Sequence, residues 1–346
     1  MDSRTIIKKV IDFEDTPRIG YELRSRKDGL YNDFRGAGIS NLENFDYSWH
    51  KAKDMAYKFP YLETFDGFVR HDEYGNLWGK VASDPSMQGE VIEGAMEDWS
   101  QLKNYKLPDF TNTKRFKEAE NAFKNNNGRY KLPGIPGFPF AIMRNIRKMD
   151  HFLMDLILER ENVDILNDMV VNMLMKITDN FALAGADAIF FCEDWGTQDR
   201  LLISPSLWRE VFKPSYIKLC NHAHDRGLKV FMHSCGYIYE IIDDLIEVGI
   251  DVFQFDQPTL MGMDNIAEKF TKHKKVLFSS CDIQKVLPTG DKELIQQNAR
   301  DLISKFSSHG GGYICRDYGD YPTIQVSQQS VDWMHEIFIN EGVFKK

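Results

Sequence analysis

From about residue 130 onward the chain alternates short apolar runs with longer amphipathic stretches. "GADAIFFCED" (185–194), "LKVFMHSCG" (228–236), "IDVFQFDQP" (250–258), "KVLFSSCD" (275–282) and "GYICRD" (312–317) read as strands. These runs are nearly continuous rather than alternating, the pattern of parallel strands covered on both faces. Helical stretches follow at 204–227, 237–249, 263–273, 291–310 and 327–342. Ser204 can cap the first of them with Pro205 at its first position, and Gly227, Gly249 and Gly310 end helices. A further strand is expected in "GIPGFPFAIM" (134–143). Five consecutive strand–helix units favour an α/β (β/α)8 TIM barrel over a doubly wound sheet. The latter would need G-x-G-x-x-G after a strand; none is present, and Gly310-Gly311-Gly312 precedes its strand.

The first 130 residues are less regular. "RTIIKKVIDFED" reads as a helix, "TPRIGYEL" as a first strand, "GFVRHDEYGNLWGKV" (67–81) as a hairpin turning at "YGN", and 113–126 as a helix. This part is expected to supply the early barrel strands and an inserted N-terminal extension or cap. Residues 1–346 are then a single barrel domain.

Composition narrows the chemistry. A net charge of −9 argues against nucleic acid as a partner, and no apolar run approaches the length of a membrane span. Five scattered cysteines do not form a disulfide framework, and the charged N-terminal segment lacks a signal-peptide core, so a reducing cytoplasm is expected. A homodimer is the default assembly. An aromatic content of 13% suits a well-filled core or a pocket for a flat apolar ligand.

Four of the five cysteines end expected barrel strands, where barrel active sites lie. Those ends supply Cys192, Glu193 and Asp194; His233 and Cys235; Gln254 and Asp256; Cys281 and Asp282; Cys315, Arg316 and Asp317. His233 and Cys235 are two apart on one strand, so both face one point. An imidazole and a thiolate suit zinc, with a third ligand from a distant cysteine: Cys315, Cys281 or Cys192. Cys220, mid-helix, reads as a small buried hydrophobe.

"GADAIFFCEDWGTQDRLLISPSLWREVFKPSY", "HSCG", "GIDVFQFDQP", "SSCDIQKVLPTGDKELI", "SSHGGGYI" and the upstream "RHDEYGNLWGKV" together resemble the uroporphyrinogen decarboxylase superfamily. The resemblance spans most of residues 5 to 345 and implies a (β/α)8 barrel. One branch comprises metal-free decarboxylases with an Arg-rich N-terminal segment, which "LRSRKDGLYNDFRGAG" does not match well. The other comprises zinc-dependent, corrinoid-linked methyltransferases carrying His-x-Cys and a later cysteine, similar to methylcobalamin:coenzyme M methyltransferase. By that resemblance the Zn2+ ligands would be His233, Cys235 and Cys315, with Cys281 as the alternative third ligand, because "CRDYGDYPTIQVSQQS" is longer than its counterpart. Methylcobalamin would be carried by a separate corrinoid protein. The N-terminal segment and aromatic content look more like methyltransferases that act as O-demethylases on a small donor such as a phenyl methyl ether. Glu193 is expected as an exchangeable fourth ligand or proton donor, and Asp194 as a cap of the following turn. Asp256 and Gln254 are expected to orient His233, Trp195, Tyr237 and Tyr318 to wall the pocket, and Arg316 or Arg144 to meet a substrate carboxylate. A metal-free lyase and a thiol methyltransferase are the alternative activities.

Overall fold

The computed structural model describes residues 1–26, 28–83, 89–307 and 310–344; Ser308 and His309 of "SSHGGGYI" lie outside them. Strands among the described residues are β1 (Gly20–Glu22), β2 (Phe34–Arg35), β3 (His50–Lys51), β4 (Gly67–His71), β5 (Leu77–Val81), β6 (Glu90–Glu93), β7 (Tyr130–Lys131), β8 (Ala188–Cys192), β9 (Lys229–His233), β10 (Val252–Gln254), β11 (Val276–Ser279) and β12 (Tyr313–Arg316). Six of them form one parallel sheet in the order β1-β12-β11-β10-β9-β8. The chain beyond β7 extends that sheet past β8. Ile135 N–H donates to Phe190 O (2.8 Å) and Phe190 N–H to Pro133 O (3.0 Å).

β2 then pairs with β7 in parallel. The ring returns to β1 through an antiparallel contact, in which Asp33 N–H donates to Tyr21 O and Leu23 N–H to Tyr31 O, both at 2.8 Å. Eight strands therefore surround one axis, as the apolar rhythm implies. One seam is a hairpin contact instead of a strand–helix–strand unit.

Side chains alternate across this wall. Ala188, Phe231, Val252, Val276, Phe278 and Ile314 face the lumen, where Ile6, Ile7 and Val10 of the N-terminal helix Ser3–Asp12 pack against them. Ion pairs from Arg4 to Asp187 and from Lys229 to Asp12 put that helix at the N-terminal ends of β8 and β9. The helix plugs the bottom and leaves the C-terminal mouth to the loops. Ile189, Phe191, Val230, Met232, Phe253, Leu277, Tyr313 and Cys315 face outward into the helix layer.

Between β2 and β7 lies the insert, a four-stranded antiparallel sheet β3-β4-β5-β6 with its own small core of Ala52, Leu62, Val69 and Leu77. Its β4–β5 turn is the expected one. The Asp72 carboxylate accepts from the N–H groups of Tyr74 (3.0 Å) and Asn76 (2.9 Å) and from Trp78 Nε1–H (2.7 Å).

Three local expectations change. The run at 134–143 leaves its strand at 135 and becomes the helix Pro139–Arg147, whose polar residues Arg144, Asn145 and Arg147 all lie beyond the apolar run, so the run alone shows no helical period. The stretch at 204–227 is two helices, Pro205–Val211 and Lys213–His224, broken where Pro214 has no N–H to bond back. Ser204 does cap the first, accepting from Leu207 N–H at 3.2 Å. The stretch at 237–249 holds only a 3-10 turn, Tyr239–Ile241, and the short helix Ile242–Glu247. Among the described residues no helix is long and apolar enough to cross a membrane.

Candidate functional site

The parallel register sets Cys192, His233, Gln254, Phe278 and Ile314 side by side. Two residues further along the same faces come Asp194, Cys235, Asp256 and Arg316, with Glu22 paired to Arg316 on β1. This upper row rims the mouth. From the row below, His233 Nε2 lies 3.2 Å from Cys235 Sγ and 3.4 Å from Asp194 Oδ1. One donor atom from each of Asp194, His233 and Cys235 falls within 4.8 Å of the others.

Backbone contact between two strand-end loops brings this triad together. Gly236 has φ +76°, and an added Cβ would run into the backbone of Gly196 and Thr197. A Cβ on Gly196 would in turn lie 2.5 Å from Tyr237 N. Only glycines allow that approach. Across it Tyr237 N–H donates to Thr197 O (2.7 Å) and Trp195 N–H to Ser234 Oγ (3.2 Å). Cys235 N–H donates to Asp194 Oδ1 (2.7 Å), which turns the carboxylate towards the thiol. Gly236 N–H donates to Gln257 Oε1 (3.1 Å).

His233 is oriented from behind. Its Nδ1–H donates to Gln254 Oε1 at 2.5 Å, since an amide oxygen only accepts. Gln254 Nε2 donates to Asp256 Oδ1 at 2.7 Å, and Arg316 Nη1 stands 3.8 Å from the same oxygen. This chain of contacts leaves Nε2 directed at Cys235 and Asp194. Burial disfavours the imidazolium of His233, but Asp194, Cys235 and Asp256 outweigh it and hold its pKa well above the usual value. Burial likewise raises Asp194, and the bonds from His233 and Cys235 N–H overcome it to bring the carboxyl down to about 2. A cation entering between these groups takes the place of the Nε2 proton, so its binding is coupled to pH.

The donor set fits zinc. At usual Zn–N, Zn–S and Zn–O bond lengths the edges of a tetrahedron are about 3.3–3.6 Å. The His233–Cys235 and His233–Asp194 separations of 3.2 and 3.4 Å are close to that.

Several expected residues are not brought to this point. Glu193 lies on the outward face, fully buried. It accepts from Ala141 N–H (3.0 Å) and Tyr216 O–H (2.5 Å), and burial pushes its carboxyl up to about 7. Trp195 is also fully buried in the helix layer, stacked on Phe140 at 4.2 Å, with Nε1–H donating to Tyr216 Oη. Cys315 and Cys281 are fully buried there too, and burial raises both thiols well above their usual range. The reason is strand parity: Cys315 is one residue off from the lumen-facing Ile314 and Arg316. Asp194, expected to cap a turn, stands in the triad instead, and Cys192 is exposed on the same side. A strand apolar on both faces hides its phase. The register of β8 against β9, which sets Cys192 beside His233, reveals it.

Tyr318, two residues beyond Arg316, is half-buried, and Tyr237 is half-buried beside the glycine contact. Arg316 lies over the Phe278 ring, 5.2 Å from its centroid, and 3.4 Å from Glu22. A separate groove of about 740 Å³, lined by Tyr239, Asp243, Lys269 and Lys272, is on the outside of the barrel.

The family described as uroporphyrinogen decarboxylase (URO-D) matches residues 80–316. The chain belongs to this family. The matched span holds the triad, Gln254, Asp256 and Arg316, whereas β1 and the N-terminal plug lie before it. Among solved structures, a methyltransferase from Methanosarcina mazei is similar over 99% of both chains, with a TM-score of 0.66 and 13% identity. At that identity the likeness establishes a shared fold, here including the plug and the C-terminal helix. A D-psicose 3-epimerase from Clostridium cellulolyticum H10 is similar over 70% of this chain and 86% of its own, with a TM-score of 0.43 and 10% identity. No curated protein matches.

Proposed function

We propose that the protein is a zinc-dependent methyltransferase that moves a methyl group between a small organic donor, such as a phenyl methyl ether, and the cobalt of a separate corrinoid protein. The observation that carries this reading is the triad of Asp194, His233 and Cys235 at the mouth of a URO-D family barrel. The fold shared with a methyltransferase supports it. Asp194, His233 and Cys235 would hold the ion, a revision of the set with Cys315. One carboxylate and one thiolate balance the charge of a divalent cation.

Bound there, zinc supplies a Lewis acid for the oxygen or sulfur that gains charge as the methyl group departs. Gln254 fixes the tautomer and direction of His233, and Asp256 holds the Gln254 amide in that orientation. Tyr318 and Tyr237 wall the approach, and Arg316 meets an anionic end of the donor. The corrinoid protein must present its cobalt at the same mouth. A metal-free decarboxylase acting on a polycarboxylate is less well served, because the rim sets Asp194, Asp256 and Glu22 against Arg316.

Elemental analysis of the purified protein tests the reading. About one zinc per chain is expected, lost in Asp194→Ala, His233→Ala and Cys235→Ala. Incubation with methoxyarenes and a reduced corrinoid protein should then convert the cob(I) absorption to that of methylcobalamin. A folded wild-type protein that takes up no zinc would overturn the proposal in favour of the decarboxylase.

A further inference from the structure

Behind the mouth, where β12 meets β1, lies a buried polar cluster that the proposed chemistry does not use. His335, on the C-terminal helix Gln328–Glu341, sets Nε2 2.7 Å from Asp317 Oδ1, and both side chains are 2% exposed. Asp317 directly follows β12, and its outward parity aims it at this helix. Its Oδ1 also accepts from Tyr321 O–H (2.9 Å), and its Oδ2 accepts from Ser25 N–H (2.7 Å). The Tyr321 oxygen accepts in turn from Tyr318 N–H (3.2 Å). One carboxylate thus ties the C-terminal helix to the loop after β12 and to the loop after β1.

Those two loops reach the rim. The first carries Tyr318, half-buried and two residues beyond the rim residue Arg316. The second carries Arg24, hydrogen-bonded to Glu22. The second also makes the antiparallel contact with β1, which has no helix directly after it. Burial works against the Asp317 carboxylate, yet His335 and Ser25 outweigh it and hold its pKa below the usual range. Both Asp317 oxygens therefore have partners.

We propose that Asp317 and His335 form a latch that fixes both loops and are thereby positioning residues for Tyr318 and Arg24 across from the triad. This rests on reading the mouth as the substrate site, but its test does not depend on methyl transfer. Hydrogen exchange on the full-length protein should find the Ser25 and Tyr318 amides protected. His335→Leu and Asp317→Asn should each speed exchange at least tenfold in peptides covering 23–31 and 317–326, with β8 to β11 unchanged. His335→Gln, whose amide can replace the Nε2–H donor, should restore protection.

After chelation, iodoacetamide should label Cys235 faster in the two latch variants and in Tyr318→Ala, but at the wild-type rate in His335→Gln. Unchanged loop exchange in the latch variants would overturn the proposal, and so would looser loops with unchanged Cys235 labelling. If His335→Leu does not fold, Asp317→Asn and His335→Gln decide. Zinc content is a separate readout. Its absence from the wild-type protein would remove the methyltransferase reading while the exchange results still judged the latch.

Discussion

Replacing Gly236 with alanine isolates the contact that assembles the site, because Gly227 at the other end of β9 provides a matched control. The two glycines have nearly equal positive φ, +76° and +71°, but an added Cβ at Gly227 meets nothing within 4 Å. At Gly236 it meets backbone atoms of Gly196 and Thr197, which cannot rotate aside as a side chain would. An alanine in the left-handed region costs about 1–2 kcal/mol. The stiffer unfolded chain returns roughly 0.4–1 kcal/mol of that. Gly227→Ala should therefore destabilise by about 1 kcal/mol. Gly236→Ala adds an overpacking cost of about 1–3 kcal/mol, for a total of about 2–4 kcal/mol. Urea unfolding of both variants measures the difference, and zinc uptake measured beside it shows where the strain goes. Moving the Gly196 loop away pulls Asp194 from Cys235, so Gly236→Ala should bind zinc weakly and Gly227→Ala normally. Equal destabilisation of the two variants, or wild-type zinc affinity in Gly236→Ala, would refute the reasoning.

Other outcomes follow from the same geometry. Gln254→Leu removes the acceptor of His233 Nδ1–H, and competition with a chelator should show zinc affinity reduced about 10–100-fold. Cys315→Ala and Cys281→Ala should leave zinc content unchanged, because both thiols lie in the helix layer, while thermal melts register the loss of a buried side chain. The Glu193 carboxyl is raised from 4.5 to about 7 in the fold. Its contribution to stability is complete below pH 4.5, where both states are protonated, and is lost as pH rises through 7. That difference amounts to roughly 3 kcal/mol, so urea unfolding at pH 5 and pH 8 should show a decline that Glu193→Gln flattens.

Much of this protein was legible in its sequence because parallel strands covered on both faces must be apolar throughout. The runs ending at Cys192, His233, Gln254, Ser279 and Arg316 announce a barrel and mark its mouth. The spacing of His233 and Cys235 likewise places two donors on one face, since alternation along a strand is local geometry. The same double burial hides the phase of each strand. In "FFCEDW" either set of alternate residues is apolar enough to face the helices, so Glu193 and Asp194 cannot be told apart from the sequence. Cys315 has the same ambiguity. Only the lateral register of β8, β9, β10 and β12 decides which residues share the lumen, because it ties each strand's phase to its neighbour's. The sequence by itself determined most of the element types from 185 onward, the barrel and the His-x-Cys pair. Tertiary structure alone brought Asp194 beside His233 and Cys235, through the contact of Gly196 with Gly236. It also turned Glu193, Trp195 and Cys315 into the helix layer, because long-range packing has no trace in local periodicity.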